Sequence, residues 1–220
     1  MQQPPAALTL AATFALGDLP RLLGTAAAHT LSATHHHILA ALHTPSAVLA
    51  GPATTHGALL LRGADLQRFG PVDDGLLAGL HTRYPPAVRT FRALTRLPLI
   101  VGFLPSARPD PRLEQWEDDL ATALTGLPGV TLIHPADWTR RHPVPRWFDD
   151  RTDELAHLPF TPEYQTAIAR TLTETARTTG CPARQQPGRE RQPPAATLSG
   201  GSAAGSPPSH HDPPHRPPPS

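Results

Sequence analysis

Apolar residues along the chain fall into short continuous runs separated by longer stretches with helical spacing. The continuous runs predict four buried strands, at residues 8–14, 58–62, 97–104 and 129–134. The run at 97–104 is almost entirely apolar, which is typical of a parallel strand covered on both faces. The chain is therefore expected to contain a sheet that is buried between other elements.

The segments between these strands have the spacing of amphipathic helices. They predict helices over residues 18–28, 32–42, 71–96, 110–126 and 161–180, with 135–141 as a short helix or turn. Asp110 and Thr161 are predicted N-caps, each followed by a proline at the first helical position. Pro85 and Pro86 are expected to break or kink the helix at 71–96. One buried face is predicted for each of the last two long helices: Leu113, Trp116, Leu120 and Leu124; and Tyr164, Ile168 and Leu172.

Strands that alternate with helices predict an α/β fold with a mostly parallel sheet between helical layers. Sites in such folds form in loops beyond the carboxyl ends of the strands. The candidate loops follow Phe14, Arg62, Leu104 and His134.

The composition changes at residue 182. The 39 residues of 182–220 contain eleven prolines, four glycines and one large apolar side chain, Leu198. A segment of this kind has too little to bury to offset its ordering entropy. We therefore predict an α/β domain at 1–181 and a Pro/Gly/Ser/His-rich disordered tail at 182–220.

Charge and composition narrow the function classes. The net charge of +1 gives no basic footprint for nucleic acid. The single cysteine, Cys181, supports neither a disulfide framework nor a cysteine-based zinc site. No positively charged leader precedes an apolar segment, and no apolar run is long enough for a membrane span. The expectation is a cytoplasmic protein with no cofactor, since no Gly-rich phosphate loop occurs.

The segment before the last helix holds the clearest candidate chemistry. Asp153 and His157 have a spacing that would allow the carboxylate to orient the imidazole and the imidazole to activate a nucleophile. The alternative is that they cap or bridge turns at a helix N-terminus. There is no G-x-S-x-G elbow, and Thr13 is the only hydroxyl close to the end of the first strand.

Two further clusters have alternative interpretations. A metal site is one interpretation of the histidines at positions 35, 36, 37 and 43. Consecutive helical residues point about 100° apart, so the three adjacent side chains cannot converge on one ion. A solvated or partly packed cluster is therefore favoured, and no metal is predicted. Arg89, Arg92 and Arg96 share a helix face, which fits a phosphate or carrier-protein contact or simply a solvated surface.

Several segments, taken in order, resemble the N-terminal domain of FkbH-like proteins of the HAD-IIIC family. Residues 11–14 (Ala-Ala-Thr-Phe) resemble its opening strand motif. Residues 42–46 (Leu-His-Thr-Pro-Ser) resemble its Leu-Asp-Pro-x-Ser segment, and Arg62 with Asp65 resembles a strand ending in Arg-x-x-Asp. The closest similarity is His-Leu-Pro-Phe-Thr-Pro-Glu-Tyr at 157–164, preceded by Phe148-Asp149 and Asp153.

The resemblance implies an SGNH-hydrolase-like three-layer α/β/α fold with a flavodoxin-like strand order. FkbH-like proteins couple such a domain to a haloacid-dehalogenase-like phosphatase domain. They load a glyceryl unit onto an acyl carrier protein in polyketide and nonribosomal peptide biosynthesis. The phosphatase motif of that second domain does not follow residue 184, because the Pro-rich segment that begins at residue 182 stands in its place. The resemblance implies that a site is lined by Thr13, Ser46, Arg62, Asp153 and His157.

The resulting hypothesis is an accessory or carrier-protein-recognition domain of natural-product biosynthesis, without phosphatase activity of its own. Its expected partners are an acyl carrier protein or a partner phosphatase or synthetase domain. One alternative is a free-standing SGNH-like hydrolase or acyltransferase that uses Asp153 and His157 with Thr13 or Ser46. Another is an inactive truncated remnant.

Overall fold

A computed structural model describes residues 7–45 and 47–179 of the chain. The predicted site residue Ser46, the cysteine Cys181 and the tail predicted at 182–220 lie outside the described residues.

Five parallel strands form the sheet. They are β1 (Leu8–Ala12), β2 (Ala27–Ser32), β3 (His56–Leu61), β4 (Leu99–Phe103) and β5 (Val130–Ile133). Their order is β2-β1-β3-β4-β5, and every neighbouring pair is parallel. This confirms the α/β prediction with a mostly parallel sheet, and the order is the flavodoxin-like one.

In the described residues, the first five helices connect the strands, and three more follow β5. They are α1 (Leu19–Leu23), α2 (His35–His43), α3 (Ala47–Ala50), α4 (Asp74–Thr95), α5 (Pro111–Leu124), α6 (Pro135–Arg141), α7 (Asp150–Ala156) and α8 (Pro162–Thr179). Two short 3₁₀ segments, Gly24–Ala26 and Gly63–Phe69, follow α1 and β3.

Alternate residues of the central strands enter two separate apolar clusters, one on each face of the sheet. Leu59 and Leu61 of β3 belong to one cluster with side chains from α2, α4 and α5. Ala58 and Leu60 belong to the other cluster with side chains from α1, α6 and α8. Because successive side chains of a strand point to opposite faces, this pattern confirms three layers, α/β/α.

The predicted helices over residues 18–28 and 32–42 are partly wrong, because residues 27–32 form the strand β2. The first helix is only the five residues of α1, and the second begins at His35. β2 lies at the edge of the sheet and is half exposed, with Leu31 its only large apolar side chain. A short polar edge strand lacks the continuous apolar run that revealed the central strands.

Of the break or kink predicted at Pro85 and Pro86, the break is absent, since α4 continues through both residues. Both sides of the proline pair are anchored by buried residues, among them Tyr84, Val88 and Phe91. Packing against the sheet therefore holds the helix together where two backbone donors are missing. Leu94, in the last turn of this helix, is 63% exposed.

The two best-marked helices follow the prediction. The Asp110 carboxylate accepts a hydrogen bond from the Arg112 amide at 3.0 Å and caps α5. The Thr161 hydroxyl accepts one from the Tyr164 amide at 3.3 Å at the start of α8. All the side chains predicted for the two buried faces are buried. Strong local capping signals thus fix the beginnings of these helices.

Candidate functional site

The strand order creates a crevice at the carboxyl ends of β1 and β3. The chain leaves β1 toward β2 on one side and leaves β3 toward β4 on the other, so the connections diverge between these two strands. Thr13 directly follows β1 and Arg62 directly follows β3, and the Thr13 amide donates to the Leu60 carbonyl at 3.1 Å. Ligands of open α/β sheets bind at such a switch point, so this crevice is the expected place for a functional site.

A buried carboxylate, Asp65, lies at the centre of the crevice. Its Oδ2 accepts a hydrogen bond from the Thr13 hydroxyl at 2.6 Å. Its Oδ1 accepts one from Arg62 Nε at 2.7 Å and lies 2.9 Å from His157 Nε2. The Asp65 side chain is 1% exposed. Asp65 therefore joins three of the predicted site residues, which come from three separate parts of the chain.

The environment of Asp65 holds its carboxylate in the charged form. Burial alone would raise the pKa of Asp65, but the bonds from His157, Arg62 and Thr13, with the guanidinium charge, hold that pKa below its usual range. Stability from these bonds is present above the pKa of the unfolded carboxyl and is lost as pH falls through the folded pKa.

Arg62 links Asp65 to a second carboxylate, Asp153. Arg62 Nη2 lies 3.0 Å from Asp153 Oδ1, and the Arg62 side chain is only 3% exposed. Arg68 approaches the same Oδ1 atom at 3.1 Å and also donates to the Asp153 carbonyl. Burial would lower the pKa of Arg62, but the two carboxylates raise it overall. The guanidinium is thus a fixed part of the crevice.

His157 is held in place from two directions. It terminates α7 in the left-handed region, with φ of 54°, and its carbonyl accepts a hydrogen bond from the Ala15 amide at 2.8 Å. The ring Nε2 is hydrogen-bonded to Asp65 Oδ1, and Nδ1 makes no hydrogen bond to the described residues. The carboxylate that orients this imidazole is therefore Asp65, whereas Asp153 pairs with the arginines.

The Thr13 hydroxyl is engaged both as donor and as acceptor. It donates to Asp65, and it accepts a hydrogen bond from the Arg62 amide at 3.0 Å. It makes no hydrogen bond to His157, although both residues contact Asp65. A nucleophilic hydroxyl needs its base within hydrogen-bond reach, so Thr13 is placed as a structural link. Ser46, the other predicted hydroxyl, lies outside the described residues.

Two clefts flank this cluster. One, of about 320 Å³, is lined by charged side chains that include Arg62, Arg68, Arg108, Asp153 and Glu154. The other, of about 340 Å³, is mostly apolar, and its walls include Leu66, Phe69 and Leu76 beside Thr13 and Asp65. The cluster therefore separates a polar opening from an apolar one.

Glu117 is a further ionisable residue at the crevice that the sequence did not single out. Its carboxylate accepts a hydrogen bond from the Gly63 amide, between Arg62 and Asp65. Burial raises the pKa of Glu117 to about 7; the Gly63 bond opposes this, and the charges of Asp118, Asp65 and Glu114 add to it. Its position on α5 gave no signal, since that helix carries several acids on its polar face.

Asp65 did have a signal in the sequence. It forms the Arg-x-x-Asp spacing at the end of a buried strand, and the first turn of a 3₁₀ segment brings it back onto Arg62. Its contact with His157 had no signal in the sequence, because no local pattern relates residue 65 to residue 157.

The other clusters have separate structural roles. His35 is buried and its Nδ1 lies 2.8 Å from the Tyr84 hydroxyl, whereas His36 and His37 are exposed at the start of α2. Arg92 donates to the carbonyls of Pro128 and Leu97 and so ties α4 to the turns before two strands. Within residues 7–45 and 47–179, no group of three or more His, Cys, Asp or Glu side chains is placed to hold a metal ion.

No helix in the described part of the chain is both long enough and apolar enough to cross a bilayer. Compared with known proteins, the chain matches no family model, and neither the curated proteins nor the solved structures include one significantly similar to it.

Proposed function

We propose that this chain is an accessory, carrier-protein-recognition domain of polyketide or nonribosomal peptide biosynthesis. In this proposal, the domain is related to the FkbH-like proteins that load glyceryl units, and it has no phosphatase activity of its own. The observation that carries the proposal is that the Thr13 hydroxyl bonds to Asp65 and to the Arg62 amide, and that no hydroxyl of the described residues is hydrogen-bonded to His157. A switch-point crevice whose imidazole has no hydroxyl paired with it favours binding over hydrolysis.

The charged cleft supplies the groups for recognition. The phosphodiester that joins a pantetheine arm to its carrier protein is an anion, and guanidinium groups bind such anions through paired N–H donors. Arg108 reaches Asp150 at 3.0 Å and Glu154 at 3.5 Å, and all three side chains are well exposed. Exposed ion pairs of this kind are weak, so Arg108 can exchange them for a phosphodiester at little cost.

The expected result is that the double variant Arg68→Ala/Arg108→Ala binds a phosphopantetheinylated acyl carrier protein about tenfold more weakly or worse, since each lost charged contact is worth about 1 kcal/mol or more. Isothermal titration calorimetry measures this. Arg177→Ala is the matched control, because Arg177 is an exposed arginine in the last turn of α8.

Binding to the same carrier protein without its pantetheine arm should also be weaker, because the arm carries the recognised anion. Equal affinity of the double variant and the control would contradict the proposal. So would a failure of the wild-type domain to bind any carrier protein from such pathways.

A free-standing hydrolase or acyltransferase is the second candidate, and one observation favours it. His157 is oriented by a buried carboxylate at the carboxyl edge of the sheet, with Nδ1 unbonded to the described residues. An imidazole held in this way is suited to act as a general base.

An esterase assay with p-nitrophenyl acetate on wild type and on His157→Asn separates the two candidates. Asparagine tolerates the left-handed backbone at this position, so the variant should fold. The binding proposal predicts equal rates or no turnover in either protein. A rate that falls roughly a hundredfold or more in the variant, the range for a lost general base, would support the hydrolase. If the protein shows neither turnover nor carrier-protein binding, the remaining hypothesis is that it is an inactive truncated remnant.

A further inference from the structure

The charged cleft has its positive charges on one wall and its negative charges on the other. The segments that follow β3 and β4 supply three arginines, and α7 supplies three acids. The arginines are Arg62, Arg68 and Arg108, and the acids are Asp150, Asp153 and Glu154. The charges of the two walls cancel while α7 lies against the cleft. Without α7, the arginine wall would present a concentrated positive charge to solvent.

Ion pairs hold α7 against this wall. None of the seven residues of α7 is buried, and its one large apolar side chain, Leu155, is 78% exposed. Asp153 pairs with Arg62 and Arg68, and the other two acids pair with Arg108. The helix thus lacks the buried apolar face that stabilises most helices of a folded domain. Charge and not packing fixes its position.

The two ends of α7 are attached to the rest of the domain without help from the arginines. Before the helix, Phe148 forms an antiparallel bridge with Phe160. After it, the His157 carbonyl accepts the hydrogen bond from the Ala15 amide. If the ion pairs are released, the helix can therefore swing about its two ends while the segments on either side stay in place.

The Asp153 carboxylate is bound by the arginine wall in the way that an anionic ligand would be. Arg62 Nη2 and Arg68 Nη2 lie 3.0 and 3.1 Å from the same atom, Asp153 Oδ1. Arg62 Nη1 lies 3.3 Å from the other carboxylate oxygen. Guanidinium groups that converge on one oxyanion in this way also bind phosphate oxygens. A phosphate group that takes this position must displace Asp153.

We propose that α7 is an acidic lid, which occupies the charged cleft in place of a phosphate-bearing ligand and swings out when that ligand binds. This inference rests on the function proposed above, in which the same cleft takes the phosphodiester of a pantetheine arm. The ligand exchanges with Asp153 at Arg62 and Arg68, and with the two exposed acids at Arg108. The closed lid keeps the cleft electrically neutral, so a weakly bound anion does not open it.

Titration with inorganic pyrophosphate, followed by calorimetry, tests the competition. Asp153→Asn keeps the size of the side chain but removes its charge, so pyrophosphate should bind roughly tenfold more tightly, the range for one charged contact. Glu163→Gln is the matched control, because Glu163 is an exposed acid in the first turn of α8 that does not line the cleft. Its replacement should leave the affinity unchanged.

The double variant Asp150→Asn/Glu154→Gln guards against a folding defect in Asp153→Asn. It removes only the exposed pairs with Arg108 and leaves the buried network intact. Pyrophosphate should bind this variant more tightly than wild type, by a smaller factor than it binds Asp153→Asn. If Asp153→Asn does not fold, the comparison of the double variant with Glu163→Gln decides.

Hydrogen exchange followed by mass spectrometry reports on the lid itself. Pyrophosphate should speed exchange of the amides of residues 150–156 in the wild-type protein and leave those of α8 unchanged, because only the lid opens. Sodium chloride at equal ionic strength is the control for screening of the ion pairs. The lid is ruled out if no variant binds pyrophosphate more tightly than Glu163→Gln does. It is also ruled out if pyrophosphate binds while exchange in α7 stays the same.

The same variants separate this inference from the proposed function. A phosphopantetheinylated carrier protein that binds wild type and Asp153→Asn with equal affinity would overturn the lid and leave the proposed function standing. Opening of α7 by pyrophosphate, without binding of any carrier protein, would do the reverse.

Discussion

Replacing Arg62 with methionine is expected to lower the free energy of unfolding by about 3–5 kcal/mol, the range for removing one partner of a buried ion pair. The Asp65 side chain is almost completely buried and lies against Arg62 through two guanidinium nitrogens. Methionine keeps the aliphatic stem of arginine, but it ends short of the guanidinium and leaves the carboxylate without its balancing charge. The loss should therefore come chiefly from the unbalanced buried charge.

Urea denaturation at pH 7 measures this change. Arg68→Met is the matched control, since Arg68 also pairs with Asp153 but has a side chain that is 30% exposed. Its loss should be below about 1 kcal/mol, as for exposed ion pairs. Adding Asp65→Asn to the Arg62→Met variant should restore part of the stability, because the unbalanced charge is then gone. If Arg62→Met and Arg68→Met cost the same, the buried network is not what stabilises the crevice.

The elements that sequence predicted well are those whose signals are local. Helices α5 and α8 begin at side-chain caps followed by proline, and β4 is a continuous apolar run. In each of these, the residues that form the element also specify it. The edge strand β2 lacks such a signal. It is held in the sheet by its pairing with β1 and not by an apolar run of its own.

The site was predictable only in part for a related reason. Thr13, Arg62, Asp153 and His157 were all selected, and all four lie in one network. Their pairing was not predicted, since Asp65 meets partners 52 and 92 positions away in the chain. Spacing suggested that Asp153 orients His157, whereas the crossover connections bring Asp65 to that imidazole instead. Sequence thus indicated which residues gather at the switch point, and topology decided which of them touch.

Replacing Glu117 with glutamine is expected to stabilise the protein at pH 8 and to have little effect at pH 4.5. The folded pKa of Glu117 is about 7, above the ordinary glutamate value of 4.5. The folded state therefore binds more protons than the unfolded state between these values, and wild-type stability falls as pH rises through that window. Glutamine can still accept the Gly63 hydrogen bond, but it never becomes charged.

The expected gain at pH 8 is on the order of 2–3 kcal/mol, since each pKa unit corresponds to about 1.4 kcal/mol. Urea denaturation of both proteins at the two pH values measures it, and Glu114→Gln on the exposed part of the same helix should change stability by less than about 0.5 kcal/mol at either pH. A stability difference between wild type and Glu117→Gln that does not vary with pH would contradict the raised pKa. A pH-dependent difference would show that the backbone between Arg62 and Asp65 is held by a carboxyl group that changes charge near neutral pH. The protein would then be keeping an energetically unfavourable acid next to its most buried ion pair, which is the behaviour expected of a binding or catalytic crevice.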